Sequence, residues 1–376
     1  MLVAGFWLAV NKRQATSNKQ QATRNSLNMI KVLIVDDSKV VQELLAHLLS
    51  SDPDIRVVGI ANSGYEAIEL ASLKKPDVIT MDIHMPGMDG YEATRTIMET
   101  YPTPIVIVTG SLNKKDISNT FKLIDAGALA VVTRPPGFEH PQFAASRKEL
   151  IQTVKLMSEV KVVRLFPRSR KEQKKPIVLV QAFENDLKRV QLIAIGASTG
   201  GPMALQIILS GLPADLPVPV LIVQHIAKGF VNGFREWLSA TSGIKLKIAE
   251  NGELLSSGIG YIAPDGFQMG ISKGGKIILS DQQPENGLIP SVSYLFRSVA
   301  QTMGSNAMGV LLTGMGKDGA VELKTMKEMG AYTLVQNEES SVVFGMPGEA
   351  LRIGAADQAL SPEKIAEIMA KAGSKK

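Results

Sequence analysis

The sequence contains no cysteine. That absence excludes a disulfide framework, thiolate zinc sites and a cysteine nucleophile, and it fits a cytoplasmic protein. No run of about 18 consecutive apolar residues occurs, so no membrane insertion is expected. Two nucleotide-binding signatures are missing as well. The dinucleotide fingerprint needs glycine where Ser198 stands, and no P-loop lysine followed by Ser or Thr is present. A basic nucleic-acid groove is also lacking, although the net charge is +5. Residues 1 to 29 carry four of the positive charges and residues 161 to 189 a net of six more, which leaves −5 for the remainder. The folded parts are therefore mildly acidic, the wrong sign for a phosphate backbone.

What is present suits a folded chain of two domains: 376 residues, 45% of them hydrophobic and 20% charged. Residues 1 to 29 have no acidic side chain and a Gln/Asn/Ser/Thr bias, which reads as a disordered extension and makes Met29 an alternative start. The apolar stretch Met1 to Val10 has its basic residues after it rather than before, so it is not read as an export signal.

From Ile30 to Val160, apolar runs at 31–35, 56–60, 77–82, 104–109 and 128–133 alternate with helix-period segments near 39–50, 64–74, 91–100, 114–125 and 147–160. This alternation predicts a parallel sheet of five strands wrapped by helices. Residues 161–190, with a basic run and prolines, read as an exposed connector, within which 177–180 is a candidate strand. From Gln191 to about residue 372 the alternation resumes, giving a second doubly wound α/β domain. Short strands near 245–249, 259–262, 267–271 and 276–279, with glycine-rich turns, read as an antiparallel hairpin insert.

In the first domain Asp36 and Asp37 end one strand and Asp82 another, while Thr109 ends a third. The carboxyl ends of such strands converge on one crevice, where three carboxylates repel and a hard cation such as Mg²⁺ relieves them. Each aspartate alone could serve as a helix cap. Followed by MPGMDG, the set resembles a flavodoxin-like response-regulator receiver domain over residues 30–160. The resemblance makes Asp82 the phosphate acceptor, Asp36 and Asp37 Mg²⁺ ligands together with Asp82 and the His84 backbone carbonyl, and Thr109 the switch hydroxyl. Two positions depart from the family pattern. Arg134 stands where a lysine usually meets the phosphoryl group, and Val131 where many receivers have an aromatic.

In the second domain LIAIGASTGGP, at 192–202, is a buried strand leading into a G-x-S-x-G turn and a helix. Such a turn lifts Ser198 to the sheet's carboxyl edge, where a base must activate it. His225, the domain's lone histidine, ends the next strand, and Asp318 follows a further one. The order Ser, His, Asp is not that of the α/β-hydrolases. Singly each residue has a plainer use as a cap or a satisfied histidine; together they suit a nucleophile, base and orienting acid. The glycines around Met315 leave backbone N–H groups to face an oxyanion.

GASTGGP, VQHIAKGF, YIAPDG and LLTGMGKDGA, in that order, closely resemble the CheB family of chemotaxis protein-glutamate methylesterases over residues 191–370. The resemblance makes Ser198 the nucleophile, His225 the base, Asp318 the orienting acid, Met315 a backbone oxyanion donor and Thr199 an active-site neighbour. Ile226 and Ala227 replace the methionine and proline common after the base. It also implies a cofactor-free esterase for methylated glutamates of chemotaxis receptors, able to deamidate glutamines, with a chemotaxis histidine kinase phosphorylating a receiver that otherwise covers the cleft. Alternatives are a receiver-controlled binding module without turnover, or an esterase for another signalling protein.

Overall fold

A computed structural model describes residues 29–110, 114–160, 162 and 184–374. The expected extension up to residue 28, the candidate strand at 177–180 and most of the connector lie outside the described residues. The chain forms two compact units. No helix among the described residues is long and apolar enough to cross a membrane.

The first sheet has strands β1 (Ile30–Val35), β2 (Ile55–Ala61), β3 (Val78–Met81), β4 (Ile105–Thr109) and β5 (Ala130–Thr133), in the order β2-β1-β3-β4-β5. β1 pairs in parallel with both β2 and β3, and β3 in parallel with β4. Helices on both faces explain why IKVLIV, VITM and IVIVT are nearly continuous apolar runs rather than alternating ones. The helix Lys39–Ser50 buries Val41, Leu45, Leu48 and Leu49, one face at helical spacing. Ser63 and Asp89 cap the helices Gly64–Lys74 and Gly90–Thr100 by accepting hydrogen bonds from the N–H groups of Glu66 and Glu92. The last helix is Phe143–Ser158, one turn longer at its start than the apolar period suggests.

In the second unit a helix, Glu184–Arg189, precedes β6 (Leu192–Ala197). Its Leu187, and Val190 after it, are buried in the same core as Ile193, so the packed part of this unit reaches back into the end of the expected connector. The chain continues through β7 (Val220–Gln224), β8 (Lys245–Ile248), β9 (Ile259–Ile262), β10 (Gln268–Ile271), β11 (Ile277–Ser280), β12 (Ala307–Leu311), β13 (Tyr332–Gln336) and β14 (Gln358–Leu360). Seven of these strands form one sheet in the order β14-β13-β12-β6-β7-β9-β8, with every pair parallel. Of the four short strands expected in the insert, only β10 and β11 form the antiparallel hairpin. The other two, β8 and β9, extend the main sheet in parallel.

Alternate residues of β6 face opposite sides. Ile193, Ile195 and Ala197 pack with Leu205, Ile208 and Leu209 of the helix Gly201–Ser210 and with Phe234 and Leu238 of the helix Val231–Ser239. Leu192 and Ala194 pack with Leu295, Phe296 and Val299 of the helix Val292–Met303 and with Leu323 and Met326 of the helix Ala320–Glu328. The strand order turns back on itself at β6, which has β7 on one side and β12 on the other. Loops leaving β6, β7 and β12 therefore meet in one crevice, the place where doubly wound sheets hold their ligands.

Gly196, within β6, lets the helix Val292–Met303 approach this crevice. A β-carbon at residue 196 would lie 2.2 Å from Val292 Cγ1. Gly196→Ala is expected to cost the second unit about 1–3 kcal/mol by overpacking, read from urea unfolding. Unchanged stability would mean that the helix shifts freely.

Candidate active site

Ser198 is the first residue after β6 and His225 the first after β7. Their strands are paired so that Ala197 faces Gln224, and the His225 N–H donates to the Ala197 carbonyl at 2.9 Å. Register alone thus makes the two residues neighbours. Gln224, 4% exposed, ties them further: its Nε2 donates to the carbonyls of both Ser198 and His225, each at 2.8 Å. Gly200 closes the turn with φ +78°, a left-handed conformation that suits glycine, and the helix Gly201–Ser210 starts directly beyond it. The positive end of that helix therefore lies beside the serine. Among the described residues no hydrogen bond joins the Ser198 hydroxyl to the imidazole.

From the other flank comes the loop after β12. The Ser198 N–H donates to the Thr313 carbonyl at 3.1 Å, and a β-carbon on Gly314 would fall 2.6 Å from that of Ser198. The Thr313 hydroxyl donates to the carbonyl of Thr199 at 3.0 Å. Met315, next along, is 39% exposed, and no hydrogen bond to its N–H occurs among the described residues.

Asp318, further along the same loop and 7% exposed, meets the imidazole directly: His225 Nε2 and Asp318 Oδ2 are 2.9 Å apart. That leaves Nδ1 as the nitrogen available to a hydroxyl. The carboxylate is also held from behind. Its Oδ2 accepts from the Val292 N–H at 2.6 Å, and its Oδ1 from the Ser293 N–H at 3.1 Å and the Ser291 hydroxyl at 3.0 Å. Burial pushes the carboxyl up, but hydrogen bonds from His225, Ser293 and Val292, with the charge of His225, outweigh it and hold the pKa down to about 2. A folded-state value below the ordinary 3.8 means that this ion stabilises the fold fully above that pH and ceases to do so as pH falls toward 2. The acid is thus a fixed anion at any neutral working pH.

Sequence reading identified Ser198, Thr199, His225, Met315 and Asp318, and all five belong to loops leaving β6, β7 and β12. It did not identify Gln224, Ser291 or Thr313. Gln224 and Thr313 stand inside the segments VQHIAKGF and LLTGMGKDGA but carry no reactive group that would single them out, and Ser291 lies outside every motif, its one signal being the Tyr294 N–H three residues later that it caps. Ile226 and Ala227 are partly buried against the core.

In the first unit the oxygens of Asp36, Asp37 and Asp82 lie within 4.8 Å of one another. Asp36 and Asp37 follow β1, and Asp82 follows the adjacent β3. Asp36 Oδ1 accepts from the Ser38 N–H, but its buried Oδ2 has no hydrogen-bond partner. Arg134, after β5, brings its Nη2 to 3.6 Å from Asp36 and 3.8 Å from Asp82. One guanidinium shared between two buried carboxylates leaves an excess of negative charge. Burial, followed by the repulsion of Asp36, pushes the Asp82 carboxyl up to about 6, and burial raises that of Asp36. An orphaned buried oxygen among three close carboxylates fits a hard divalent cation. Thr109, buried, ends β4 at the same sheet edge, His84 lies two residues beyond Asp82, and Val131 is partly buried in β5.

Comparison with known proteins finds two families in succession along the chain. The response regulator receiver domain family matches residues 32–140, and the CheB methylesterase family matches residues 193–369. A protein-glutamate methylesterase/protein-glutamine glutaminase of Syntrophus aciditrophicus is 52% identical over 347 residues, covering 91% of this chain and 98% of the relative. One from Nitrosospira multiformis is 52% identical over 341 residues, covering 91% and 96%. Among solved structures, the CheB methylesterase catalytic domain of Thermotoga maritima is 36% identical, covering 48% of this chain and 98% of its own, with a TM-score of 0.47. The response regulator domain of the same organism's CheB is 37% identical, covering 35% and 98%, with a TM-score of 0.32. With near-complete coverage of relatives at this identity, the chain belongs to the protein-glutamate methylesterase/protein-glutamine glutaminase family, carrying a response-regulator receiver domain ahead of a CheB methylesterase domain.

Proposed function

We propose that this protein is a phosphorylation-controlled serine esterase that hydrolyses glutamyl methyl esters on chemotaxis receptors, and that it deamidates receptor glutamines by the same chemistry. The observation that carries the reading is the His225–Asp318 pair, 2.9 Å apart, one strand over from Ser198. We assign residues 30–160 to the receiver, 161–190 to the connector, whose end from Glu184 packs with the second unit, and 191–372 to the methylesterase, with residues 1–29 an extension.

His225 takes the proton of Ser198 as Oγ attacks the ester carbonyl carbon. Asp318 fixes the imidazole and balances the charge it acquires. The tetrahedral oxyanion is met by the Met315 N–H, near Thr199 and the N-terminal end of the helix Gly201–Ser210. Collapse breaks the bond to methoxide, which leaves as methanol with the proton from His225. Water, deprotonated by the same imidazole, then cleaves the acyl-enzyme to glutamate and free serine. With a glutamine substrate the leaving group is ammonia. No cofactor enters either reaction.

On the receiver, Asp36, Asp37 and Asp82, with the His84 backbone carbonyl, would hold Mg²⁺, whose chemistry is to neutralise an incoming phosphoryl group. Asp82 accepts that group from a chemotaxis histidine kinase. Thr109 and Arg134 respond to it, the arginine by exchanging two carboxylates for a phosphoryl oxygen. The reaction belongs in the cytoplasm, without nucleic acid or membrane insertion.

Three measurements check this reading. Ser198→Ala is expected to abolish methanol release from methylated receptor membranes, and Asp318→Asn to lower kcat by about 10³–10⁴-fold; full turnover in either variant would remove that residue from its role. A small-molecule phosphodonor should raise the rate for the native chain and leave Asp82→Asn unchanged; equal stimulation of both would place the acceptor elsewhere. After chelation, Mg²⁺ at about ten times its dissociation constant should stabilise the receiver by about 1.4 kcal/mol in thermal unfolding. Asp37→Asn, an exposed change, should weaken that gain.

A further inference from the structure

Asp318 needs more than its imidazole partner. A carboxylate that is 4% exposed at its side chain must fill several acceptor sites, and any that stay empty let it rotate away from His225. Two of its donors, the N–H groups of Val292 and Ser293, belong to the first turn of the helix Val292–Met303 and come with any sequence that folds there. The third is a side chain. Ser291, fully buried, donates its hydroxyl to Asp318 Oδ1 at 3.0 Å, while the same oxygen accepts from the Tyr294 N–H at 3.4 Å as the helix cap.

Ser291 is itself anchored. Its N–H donates to Gln268 Oε1 at 2.8 Å, and Gln268 Nε2 donates to the Leu288 carbonyl at 3.1 Å. Gln268 is 1% exposed and begins β10, so the hairpin β10–β11 supplies the anchor. An unbroken buried path thus runs from the hairpin through Gln268, Ser291 and Asp318 to the imidazole of His225. Gln268 and Ser291 are remote in sequence from every residue the mechanism uses. A polar pair of this kind, kept where apolar packing would otherwise serve, calls for a reason.

We propose that Ser291 is a positioning residue for the esterase reaction, its hydroxyl locking Asp318 Oδ1 so that Oδ2 stays aligned on His225, with Gln268 of the hairpin holding Ser291 in place. The inference rests on the triad reading given above. Its logic is that of an orienting residue's own support: the hydroxyl never meets substrate, so it acts on kcat and leaves binding alone.

The test compares Ser291→Ala, Ser291→Thr and Gln268→Met in the full-length protein by methanol release from methylated receptor membranes. Ser291→Ala is expected to lower kcat about tenfold with KM unchanged, the size of effect that one hydrogen bond to a charged group supports. Ser291→Thr, which keeps the hydroxyl, should recover most of that loss. The proton resonance of the imidazole nitrogen bonded to Asp318 should shift in Ser291→Ala and return toward native in Ser291→Thr. A residue that only caps the helix would lower melting temperature and leave kcat of the folded fraction and that resonance unmoved, and this outcome overturns the proposal. Should Ser291→Ala unfold, Gln268→Met carries the same expectation in weaker form, and native kcat there overturns it too. Asp318→Asn separates the two readings. Full activity in that variant sinks the triad itself, whereas loss there with native kcat in Ser291→Ala sinks only the role of Ser291.

Discussion

The second unit is organised around one buried negative charge. A carboxylate taken out of water is costly unless donors replace the solvent it loses, and Asp318 is met by an imidazole, a hydroxyl and two backbone N–H groups. Those donors come from the loop after β7 and from the start of the helix Val292–Met303, while the acid itself rides on the loop after β12. Satisfying the charge therefore pins three separate parts of the unit to one point. The same requirement explains why Val292 is packed tightly against Gly196: only a side-chain-free strand position lets the helix come near enough for its first N–H groups to reach the acid.

The receiver meets the converse situation. Three carboxylates crowd together, two of them share one guanidinium, and one buried oxygen has no hydrogen-bond partner. Where Asp318 is saturated with donors and held as a stable anion, Asp82 is short of them and its carboxyl rises to about 6. The two settings differ in kind: a carboxylate saturated with donors stays a fixed anion, whereas an under-compensated cluster of carboxylates is the arrangement a hard cation relieves. Both lie where their strand orders turn back, at β1/β3 in one sheet and at β6 in the other.

Much of this was legible in the chain itself because buried parallel strands write long apolar runs that end abruptly at polar residues. VITM followed by Asp82, or VLIVQ followed by His225, shows both the strand and the functional residue at its end. Elements of weaker pattern were harder to read. β8 and β9 look like the hairpin strands that follow them, since all four are short and bounded by glycine turns, and only pairing partners separate β8 and β9 from β10 and β11. The helix Glu184–Arg189 was hidden inside a basic segment whose composition resembles a connector.

From sequence alone came the two α/β units, the acidic cluster, and the serine, histidine and acid as members of one rim, because local periodicity and strand-end position are written in neighbouring residues. Tertiary structure decided which nitrogen of His225 meets Asp318, that Gln224 bridges the carbonyls of Ser198 and His225, and that Ser291 and Gln268 support the acid from behind. Apart from the contact of Gln224 with its neighbour His225, those facts depend on residues that lie 23 to 93 positions apart in the chain and meet only when the sheet, the hairpin and the helix are packed together. No local pattern records such a meeting, since its cause is the replacement of lost water by whichever donors the fold brings within reach.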